Sequence, residues 1–354
     1  MVLDIEKKLK EFNEQQSELD PIGRDSRVLI VDSMNMYIRS FCATPSMNDN
    51  GDHIGGVVGY LKSVGAVIRQ FNPTRVICVF DGKGGSQRRR AVYENYKNKS
   101  RTMERLNRTY DFNTPQNEQE SMKWQLHLLI ELLENLPVTV FAIDNIEADD
   151  TISYLVNLVG ERGGKSTILS TDKDFLQLVS SSCEVYSPTK HKMYTVDEVV
   201  AEFGIHPNNF LLYRMLTGDQ SDNIDGVKGI GPKTLLKFFP EVSQEKKITV
   251  LELVDKCKSD TNIKIYNKIL SAHNEGILDR NNSLMNLSEL LFSGTTKLKI
   301  LNMFDNNINI LNKYKFVSLL GDNQMLNSLG NFQEWFVMTW TPLTKYIRGK
   351  NDAR

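Results

Sequence analysis

Four short runs in the first half of the chain, apolar or rich in β-branched residues, each lead to acidic residues. Runs of this length and composition indicate buried strands rather than helices. They are Val28–Val31, Val76–Phe80, Val138–Ile143 and Ser166–Thr171. Apolar positions at helical spacing separate them, for example over 122–136. Strands that alternate with helices predict an α/β fold with a central, mainly parallel sheet flanked by helices.

Carboxylates follow all four predicted strands. Asp32, Asp81 and Asp172 come directly after three of them, Asp174 lies two residues further on, and the remaining strand leads to Glu147-Ala148-Asp149-Asp150. One acid in a first helical turn is expected as a capping residue. Four strand ends at one sheet edge gather many carboxylates, which repel one another unless cations neutralise them. All-oxygen ligands favour Mg²⁺ or Mn²⁺ over zinc, so the pattern predicts a hard-metal site.

The two ends of the chain carry apolar patterns of their own. Residues 1–25 predict an amphipathic helix that packs on the core or docks a partner, with packing favoured. Phe332, Trp335, Phe336 and Trp340 form an aromatic cluster near the C-terminus. A core position is favoured over a docking surface for this cluster.

Intermediate segments give weaker signals. Gly55-Gly56 predicts a turn, because it follows no strand and lacks the lysine of a phosphate-binding loop. Phe175–Val179 predicts a helix and Cys183–Tyr186 an edge strand. Residues 251–270 and 304–320 each predict one amphipathic helix of a smaller helical domain.

Residues 83–137 are too long for a simple connection and predict a functional insertion. Tyr93, Tyr96 and Tyr110 interleave with its cations, a combination that suits stacked bases and a single-stranded backbone. A basic segment beside an acidic crevice indicates a phosphodiester substrate. A solvated helix face with packing tyrosines is the alternative. Between Lys83 and Arg108, against only Glu94 and Glu104, the basic residues of the insertion are Lys83, Arg88, Arg89, Arg90, Lys97, Lys99, Arg101, Arg105 and Arg108.

A second strong motif, Gly-Val-Lys-Gly-Ile-Gly at 226–231, lies between helical patterns at 210–216 and 233–239. Its glycines let the backbone approach a phosphate, which the N–H groups and the next helix N-terminus hold without reading bases. A helix-turn-helix packing element is the alternative.

Charged residues flank this hairpin on both sides. Lys228, Lys233 and Lys237 add positive charge to it. Asp219 and Asp222 precede it by about one turn, so we expect their side chains to point back towards the metal crevice.

Composition bounds the class of protein. With 354 residues, 40% of them hydrophobic, the chain can bury a sizeable core in two or more domains. The net charge of −1 averages an acidic crevice and a basic insertion. No apolar run approaches a membrane span, the N-terminus is too charged for a signal peptide, and the four cysteines are scattered. These features predict a reduced, cytoplasmic protein without a membrane partner.

These motifs, in this order, resemble the structure-specific 5′ nucleases, or flap endonucleases. That family includes the 5′-nuclease domain of bacterial DNA polymerase I and the phage enzymes called 5′-exonuclease or ribonuclease H. The resemblance runs from about Val28 to Leu287 and includes Arg280-Asn281-x-x-Leu284-x-x-Leu287 as the closing segment. It implies a PIN-like 5′-nuclease core, a helical arch for the basic insertion, and a C-terminal helical domain with a helix-hairpin-helix-type DNA-binding motif.

The resemblance also implies roles for individual residues. The implied ligands of the first metal are Asp32, Asp81, Glu147, Asp149 and Asp172, with Asp150 behind them and Asp174, Asp219 and Asp222 serving the second metal. The implied catalytic set is Lys97, Arg101, Asp149 and Asp172, with Lys97 on the scissile phosphate. The implied DNA contacts are Arg88, Arg89, Tyr96, Lys97, Lys99, Arg101, Gly226, Lys228, Gly229, Gly231, Lys233 and Thr234. The arginine that closes the family's arch motif stands one residue later in this chain, at Arg101.

The implied reaction is hydrolysis of phosphodiesters near single-strand/duplex junctions with two Mg²⁺, replaceable by Mn²⁺, and with K⁺ at the hairpin. Expected partners are DNA with 5′ flaps or nicks, RNA–DNA hybrids, and a replication clamp or single-strand binding protein. The chain is expected to act as a monomer, in the host cytoplasm if it is phage-encoded. A non-catalytic junction-binding protein and a PIN-type ribonuclease are the alternatives. The complete acid set disfavours the first, and the hairpin and basic insertion disfavour the second.

The same features divide the chain into predicted units. They are an extension at 1–25, a nuclease core at 26–200 with the arch at about 83–137, a helix-hairpin-helix-type subdomain at 201–290 and a helical tail at 291–354.

Overall fold

A six-stranded sheet forms the centre of the computed structural model, which describes residues 23–98, 110–288 and 292–347. Its strands are β1 (Arg27–Asp32), β2 (Arg75–Phe80), β3 (Thr139–Ala142), β4 (Lys165–Leu169), β5 (Cys183–Ser187) and β6 (Lys192–Tyr194). Their order is β3-β2-β1-β4-β5-β6, and every neighbouring pair is parallel except β5 and β6. The predicted mainly parallel sheet is confirmed. The strand predicted at Cys183–Tyr186 is present as β5, but its predicted position at the edge is wrong. Strand β6 pairs antiparallel with β5 and forms the edge of the sheet instead.

Helices connect and flank these strands. Those of the first half are α1 (Ser33–Ala43), α2 (Gly55–Phe71), α3 (Gln87–Val92), α4 (Pro115–Leu133) and α5 (Ala148–Glu161). Those of the second half are α6 (Val196–Phe203), α7 (Phe210–Thr217), α8 (Pro232–Phe238), α9 (Val250–Lys258), α10 (Lys264–Asn274), α11 (Ile277–Met285), α12 (Gly294–Asn306), α13 (Lys313–Asp322) and α14 (Phe332–Trp340). Short 3₁₀ helices lie at Lys173–Leu178, Pro207–Asn209, Pro240–Ser243 and Thr341–Tyr346, and a small ribbon pairs β7 (Gly218–Asp219) with β8 (Ile224–Asp225).

Two long predicted helices are each broken in two. Residues 251–270 split between α9 and α10, because Asp260 accepts a local hydrogen bond from the Asn262 amide (3.0 Å) that competes with the helix. Residues 304–320 split between α12 and α13, where the backbone amides of Asn309 and Asn312 donate to the carbonyls of Val138 and Asn135 in the loop between α4 and β3.

Two helix starts also differ from prediction. Gly55 and Gly56 are the first residues of α2 rather than a separate turn. Helix α4 begins at Pro115, earlier than predicted, because the Thr114 hydroxyl accepts from the Asn117 amide and proline suits a first helical turn.

The two faces of the sheet bury separate apolar clusters. Val28 and Ile30 face α5, the helices between residues 196 and 287, and Phe304 of α12. Leu29 and Val31 face α1, α2 and α4, together with α13 and α14. Phe336 and Trp340 are buried, as predicted for the C-terminal aromatic cluster. Most of the predicted 1–25 extension lies outside the described residues.

Two sequence predictions, on membrane spans and on the cysteines, concern the described part of the chain. None of its helices is long and apolar enough to cross a membrane. All four cysteines lie in it, and each is buried.

Candidate active site

Acids at the carboxyl ends of the strands cap the helices that follow. Asp32 ends β1 and accepts from the Asn35 amide of α1 (3.3 Å), while its second oxygen accepts from the Ser170 hydroxyl (2.7 Å). Asp81 follows β2 and accepts from the backbone amide of Ala148 (2.8 Å). Capping and clustering are therefore properties of the same carboxylates, since the caps hold these acids at one sheet edge.

A cavity of about 230 Å³ lies at this edge. Its acidic lining residues are Asp32, Asp81, Glu147, Asp149, Asp172, Asp174 and Asp222. A second cavity of about 390 Å³ adds Asp219 and shares Lys97, Asp172 and Asp222 with the first. The structure thus brings eight of the nine predicted acids to two adjoining cavities. Asp150 lines neither, because its carboxylate is buried against Arg88 and Arg89 (both 3.1 Å).

Arg89 is the centre of the ion-pair network behind the cleft. It is 2% exposed, and its guanidinium contacts Glu147, Asp149 (3.0 Å) and Asp150 (3.1 Å). Tyr96 is equally buried and donates its hydroxyl to Glu147 (3.2 Å). The prediction of direct DNA contact does not fit either residue, since their polar atoms face inward and position the acids.

Lys97 lies at the mouth of the cleft. Its ammonium donates to Glu147 (2.5 Å), and its backbone amide donates to the Asp222 carbonyl (3.0 Å). The residue has a left-handed φ of 53°, which costs a non-glycine residue energy and is characteristic of functional sites. Burial lowers the pKa of Lys97, but the carboxylates of Glu147, Asp222 and Asp149 outweigh burial and leave the pKa raised.

Arg214 on α7 is a site residue that the sequence did not reveal. It bridges Asp174 and Asp219, donating to each at 2.5 Å. Ser170 and Asn35 were also missed, and they hold the chain after β4 through bonds to Asp32 and Thr171. A lone arginine in an amphipathic helix gives no functional signal, because its direction depends on how α7 packs.

Several acids of the cleft have raised pKa values, because burial and neighbouring carboxylates disfavour their charged forms. Burial raises the pKa of Asp32 to about 7, with Asp172 and Asp81 adding repulsion. Burial, with Asp172 nearby, likewise raises the pKa of Asp174 to about 7. Burial also raises the pKa values of Asp81 and Asp172. Asp149 differs, because Arg89 and Lys97 overcome the effect of burial and lower its pKa.

The donor set fits a hard divalent cation. It consists of carboxylate oxygens on several strand ends, with a deficit of positive charge that an ion would correct. In the ranges 23–98, 110–288 and 292–347, no three acidic, histidine or cysteine side chains are arranged as the ligands of one ion. Several of these carboxylates are instead turned towards Arg89, Lys97 and Arg214.

The predicted hairpin lies between α7 and α8. Gly226 is held against the α7 end, where an added Cβ would lie 2.3 Å from the Thr217 backbone carbon. Gly226 therefore makes a close backbone approach to α7, and its DNA contact stays a prediction. Lys228, Gly229 and Lys233 are exposed, and Gly231 and Thr234 are half-buried at the start of α8. The Lys268 ammonium of α10, which the sequence did not single out, donates to the Lys228 carbonyl (3.0 Å).

Two further predicted DNA contacts, Lys99 and Arg101, lie outside the described residues. Arg88 is partly exposed beside the cleft and pairs with Asp150.

A family model described as the 5′-3′ exonuclease, N-terminal resolvase-like domain, matches residues 27–204. This chain belongs to the 5′-3′ exonuclease family. The 5′-3′ exonuclease of Aquifex aeolicus is 30% identical over 220 residues, which are 62% of this chain and 71% of that relative. The thermostable DNA polymerase I of Thermus thermophilus is 34% identical over 216 residues, 61% of this chain but 24% of the polymerase.

Solved structures share the fold of this exonuclease family member. A bacteriophage T5 flap endonuclease, in a pseudo-enzyme-product complex with DNA and metal ions, has a TM-score of 0.60 at 21% identity, covering 84% of this chain and 99% of its own. The T5 5′-exonuclease with bound zinc has a TM-score of 0.59 at 20% identity, with coverage of 85% and 99%. The predicted family and α/β fold are confirmed.

Proposed function

We propose that this exonuclease family member is a structure-specific 5′ nuclease that depends on divalent metal ions. It cuts phosphodiesters near junctions of single and double strands, both as a 5′-3′ exonuclease and as a flap endonuclease. The observation that carries this proposal is the cleft in which the strand-end acids meet Lys97 beside the glycine hairpin. A non-catalytic junction binder would not need this concentration of carboxylates, because their mutual repulsion costs folding energy.

Carboxylates on the strand ends hold the metal ions in this proposal. Asp32, Asp81, Glu147, Asp149 and Asp172 serve the first ion, whereas Asp174, Asp219 and Asp222 serve the second. Mg²⁺ is the proposed ion, with Mn²⁺ as a substitute, because every donor is a carboxylate oxygen. Bound Mg²⁺ supplies a water of lowered pKa and neutralises charge on the phosphate.

Lys97 neutralises the charge that develops on the phosphoryl oxygens. Its ammonium borders both cavities, and its contact with Glu147 keeps it protonated. One preorganised donor of this kind contributes about 2.7–4 kcal/mol to transition-state stabilisation. Arg101 is proposed as a second cation of the same arch.

The hairpin grips the duplex beside the cleft. Lys228, Lys233 and Thr234, with the backbone at Gly229 and Gly231, contact phosphates without reading sequence. K⁺ bound by hairpin carbonyls is part of the proposal, and exchange of K⁺ for Na⁺ in a duplex-binding titration tests it. If chelation of Mg²⁺ alone abolishes the preference for K⁺, the K⁺ depends on the acid cleft and is not bound at the hairpin.

The proposed substrates are 5′ flaps, nicks and the RNA of RNA–DNA hybrids, so the enzyme removes RNA primers and flaps in replication and repair. It acts as a monomer, with a replication clamp or a single-strand binding protein as partner. The predicted units 26–200 and 201–290 correspond to its catalytic and duplex-binding parts.

A substrate panel tests this function. Purified full-length protein is incubated with Mg²⁺, or with EDTA, and with 5′-flap DNA, 3′-flap DNA, single-stranded DNA, RNA–DNA hybrid and single-stranded RNA. We expect metal-dependent cutting of the 5′ flap and of the hybrid, and no cutting of the 3′ flap. Binding of the 5′ flap without cutting indicates a junction-binding protein, and cutting of RNA alone indicates a PIN-type ribonuclease. Either result overturns the proposal.

A further inference from the structure

Helix α11 lies between the glycine hairpin and the acid cleft, and its first half holds the strand that enters the hairpin. Asn281 is fully buried, and its amide donates to the carbonyls of Met215 (2.8 Å) and Asp225 (2.9 Å). Arg280 donates to the same Asp225 carbonyl (2.8 Å) and to the Asn281 side-chain oxygen (3.0 Å). The pair therefore fixes β8 against α7 through a shared acceptor, with Asn281 using both ends of its amide group.

The same arginine reaches the base of the basic insertion. Its guanidinium carbon lies 4.6 Å from the ring centroid of Tyr93, within the range of a cation–π contact. Tyr93 follows α3, the helix that carries Arg89. Arg280 thus contacts the hairpin strand on one side and the insertion on the other.

The C-terminal end of α11 and the residues after it accept hydrogen bonds from the segments that carry the acids. One donor, Arg89, itself pairs with the acids behind the cleft, and the other two each lie three residues after a predicted acid, Asp150 or Asp174. The three bonds run from Arg89 Nε to the Leu284 carbonyl (2.8 Å), from Gln177 Nε2 to the Met285 carbonyl (3.0 Å) and from Ser153 Oγ to the Leu287 carbonyl (2.6 Å).

These bonds make α11 a rigid spacer, called the strut below, between the glycine hairpin and the acid cleft. A side chain that donates to a backbone carbonyl fixes the position of that backbone, and buried bonds of this kind are costly to leave unmade. The strut is short, since Asn281 and Leu284 are three positions apart in the same helix. Movement of the hairpin strand relative to the cleft therefore requires breaking bonds at one of its ends.

We propose that Arg280 and Asn281 are positioning residues that set the distance between the glycine hairpin and the acid cleft. Through this distance they determine which phosphodiester is cut. The inference rests on the proposed nuclease function and deepens it, because it assigns the precision of the cut to α11. Neither residue touches the scissile bond. Misplacement of a substrate by about 1 Å lowers a rate on the order of 100-fold, so loosening the strut affects substrates that the hairpin holds.

The test compares two substrates of the same sequence under single-turnover conditions. One is a 5′-flap DNA with a single defined junction, and the other is its single-stranded flap arm alone. We expect the wild-type protein to cut the flap at one dominant position. Arg280→Gln spreads the cuts over neighbouring phosphodiesters and lowers the flap rate by about tenfold to a hundredfold, while the rate on the single strand is unchanged.

Matched variants separate positioning from stability and charge. Arg280→Lys keeps the charge and part of the donor capacity. We therefore expect a larger fraction of its products to be cut at the dominant position than for Arg280→Gln. Lys299→Gln removes one charge from an exposed position on α12 and leaves the product lengths unchanged. Asn281→Ala gives the same spread as Arg280→Gln. If Asn281→Ala does not fold, Arg280→Gln, at a half-exposed position, decides the question.

Two results overturn the inference. One is a product-length distribution for Arg280→Gln identical to that of the wild type, and the other is an equal fall in rate on both substrates, as a general loss of stability would give. Failure of the proposed function is distinct from both, because wild-type protein would then cut neither substrate.

Discussion

In the proposed function, the acid cleft and the glycine hairpin both hold a phosphate, but the cleft acts through side-chain charge and the hairpin through its backbone. The cleft assembles side chains from Asp32 to Asp222, and it buries carboxylates that repel one another. The hairpin is local, and its Lys228 and Gly229 are exposed to solvent. Charge is therefore the sensitive property of the cleft, because removing one group changes the ionisation of its neighbours.

Backbone geometry is the sensitive property of the hairpin. Its lysines are exposed and interchangeable in kind, whereas Gly226 touches the backbone of Thr217 and Gly218 too closely for any side chain. The comparison predicts that isosteric charge changes disable the cleft while leaving binding intact. It also predicts that an added methyl group disturbs the hairpin more than the loss of a lysine does.

The largest expected effect is on the cleft acids. Asp149→Asn and Asp172→Asn each lower the single-turnover cleavage rate on the order of 10³-fold, because each removes the charge of a proposed metal ligand without changing the shape of the side chain. Binding of flap DNA, measured by fluorescence anisotropy with Ca²⁺, stays the same or tightens, since less negative charge repels the phosphates. Asp255→Asn, an exposed acid on α9, is the control and cleaves normally. Retained cleavage in both cleft variants would contradict the metal assignment.

Lys97 gives the next largest effect. Lys97→Ala lowers the single-turnover rate by about 100-fold to 1,000-fold and changes the flap-DNA Kd by much less, because the ammonium acts on charge that develops in the transition state. Lys246→Ala, which removes an exposed lysine that lines neither cavity, is the matched control. A Kd that rises as much as the rate falls would assign Lys97 to ground-state binding instead.

Patterns along the chain predicted the fold and the cleft acids. Both follow from the pattern of the strands and from the rule that the carboxyl ends of parallel strands meet at one edge of the sheet. The partners of those acids were not predictable in the same way. Arg89 and Tyr96 belong to a basic, tyrosine-containing segment that suits DNA, yet α3 and the turn after it place them inward against Glu147. Arg214 carried no signal at all. Side-chain direction depends on helix packing, which no local pattern encodes.

The breaks in the predicted helices teach the same lesson. Apolar spacing continues across 251–270 and 304–320, so periodicity alone joins what the structure divides. Hydrogen bonds from distant backbone decide the second break, since Asn309 and Asn312 donate to carbonyls of Val138 and Asn135. Sequence periodicity reports burial, whereas chain direction depends on such long-range bonds.

A smaller effect is expected in the hairpin backbone. Gly226→Ala forces its Cβ against the Thr217 carbon and the Leu216 carbonyl oxygen, an overpacking that costs about 1–3 kcal/mol of unfolding free energy. Urea unfolding measures this cost, and duplex binding weakens in the same variant. Gly231→Ala is the matched control, because nothing lies within 4 Å of a Cβ at that position. Equal stability losses in the two variants would remove the distinction between a close backbone approach and an open glycine.

The smallest expected effect comes from removing one positive charge from the hairpin. Lys228→Ala removes one exposed cation, so it weakens duplex binding uniformly across sequences and reduces the slope of log K against log salt by about 1. Flap-DNA binding titrated over a salt series measures the slope. Lys258→Ala, at an exposed position on α9 beside Asp255, leaves the slope unchanged. If the hairpin holds phosphate through its backbone, Lys228→Ala keeps most of the affinity. A loss as large as that of Gly226→Ala would show that the lysine, not the backbone, is the main phosphate contact.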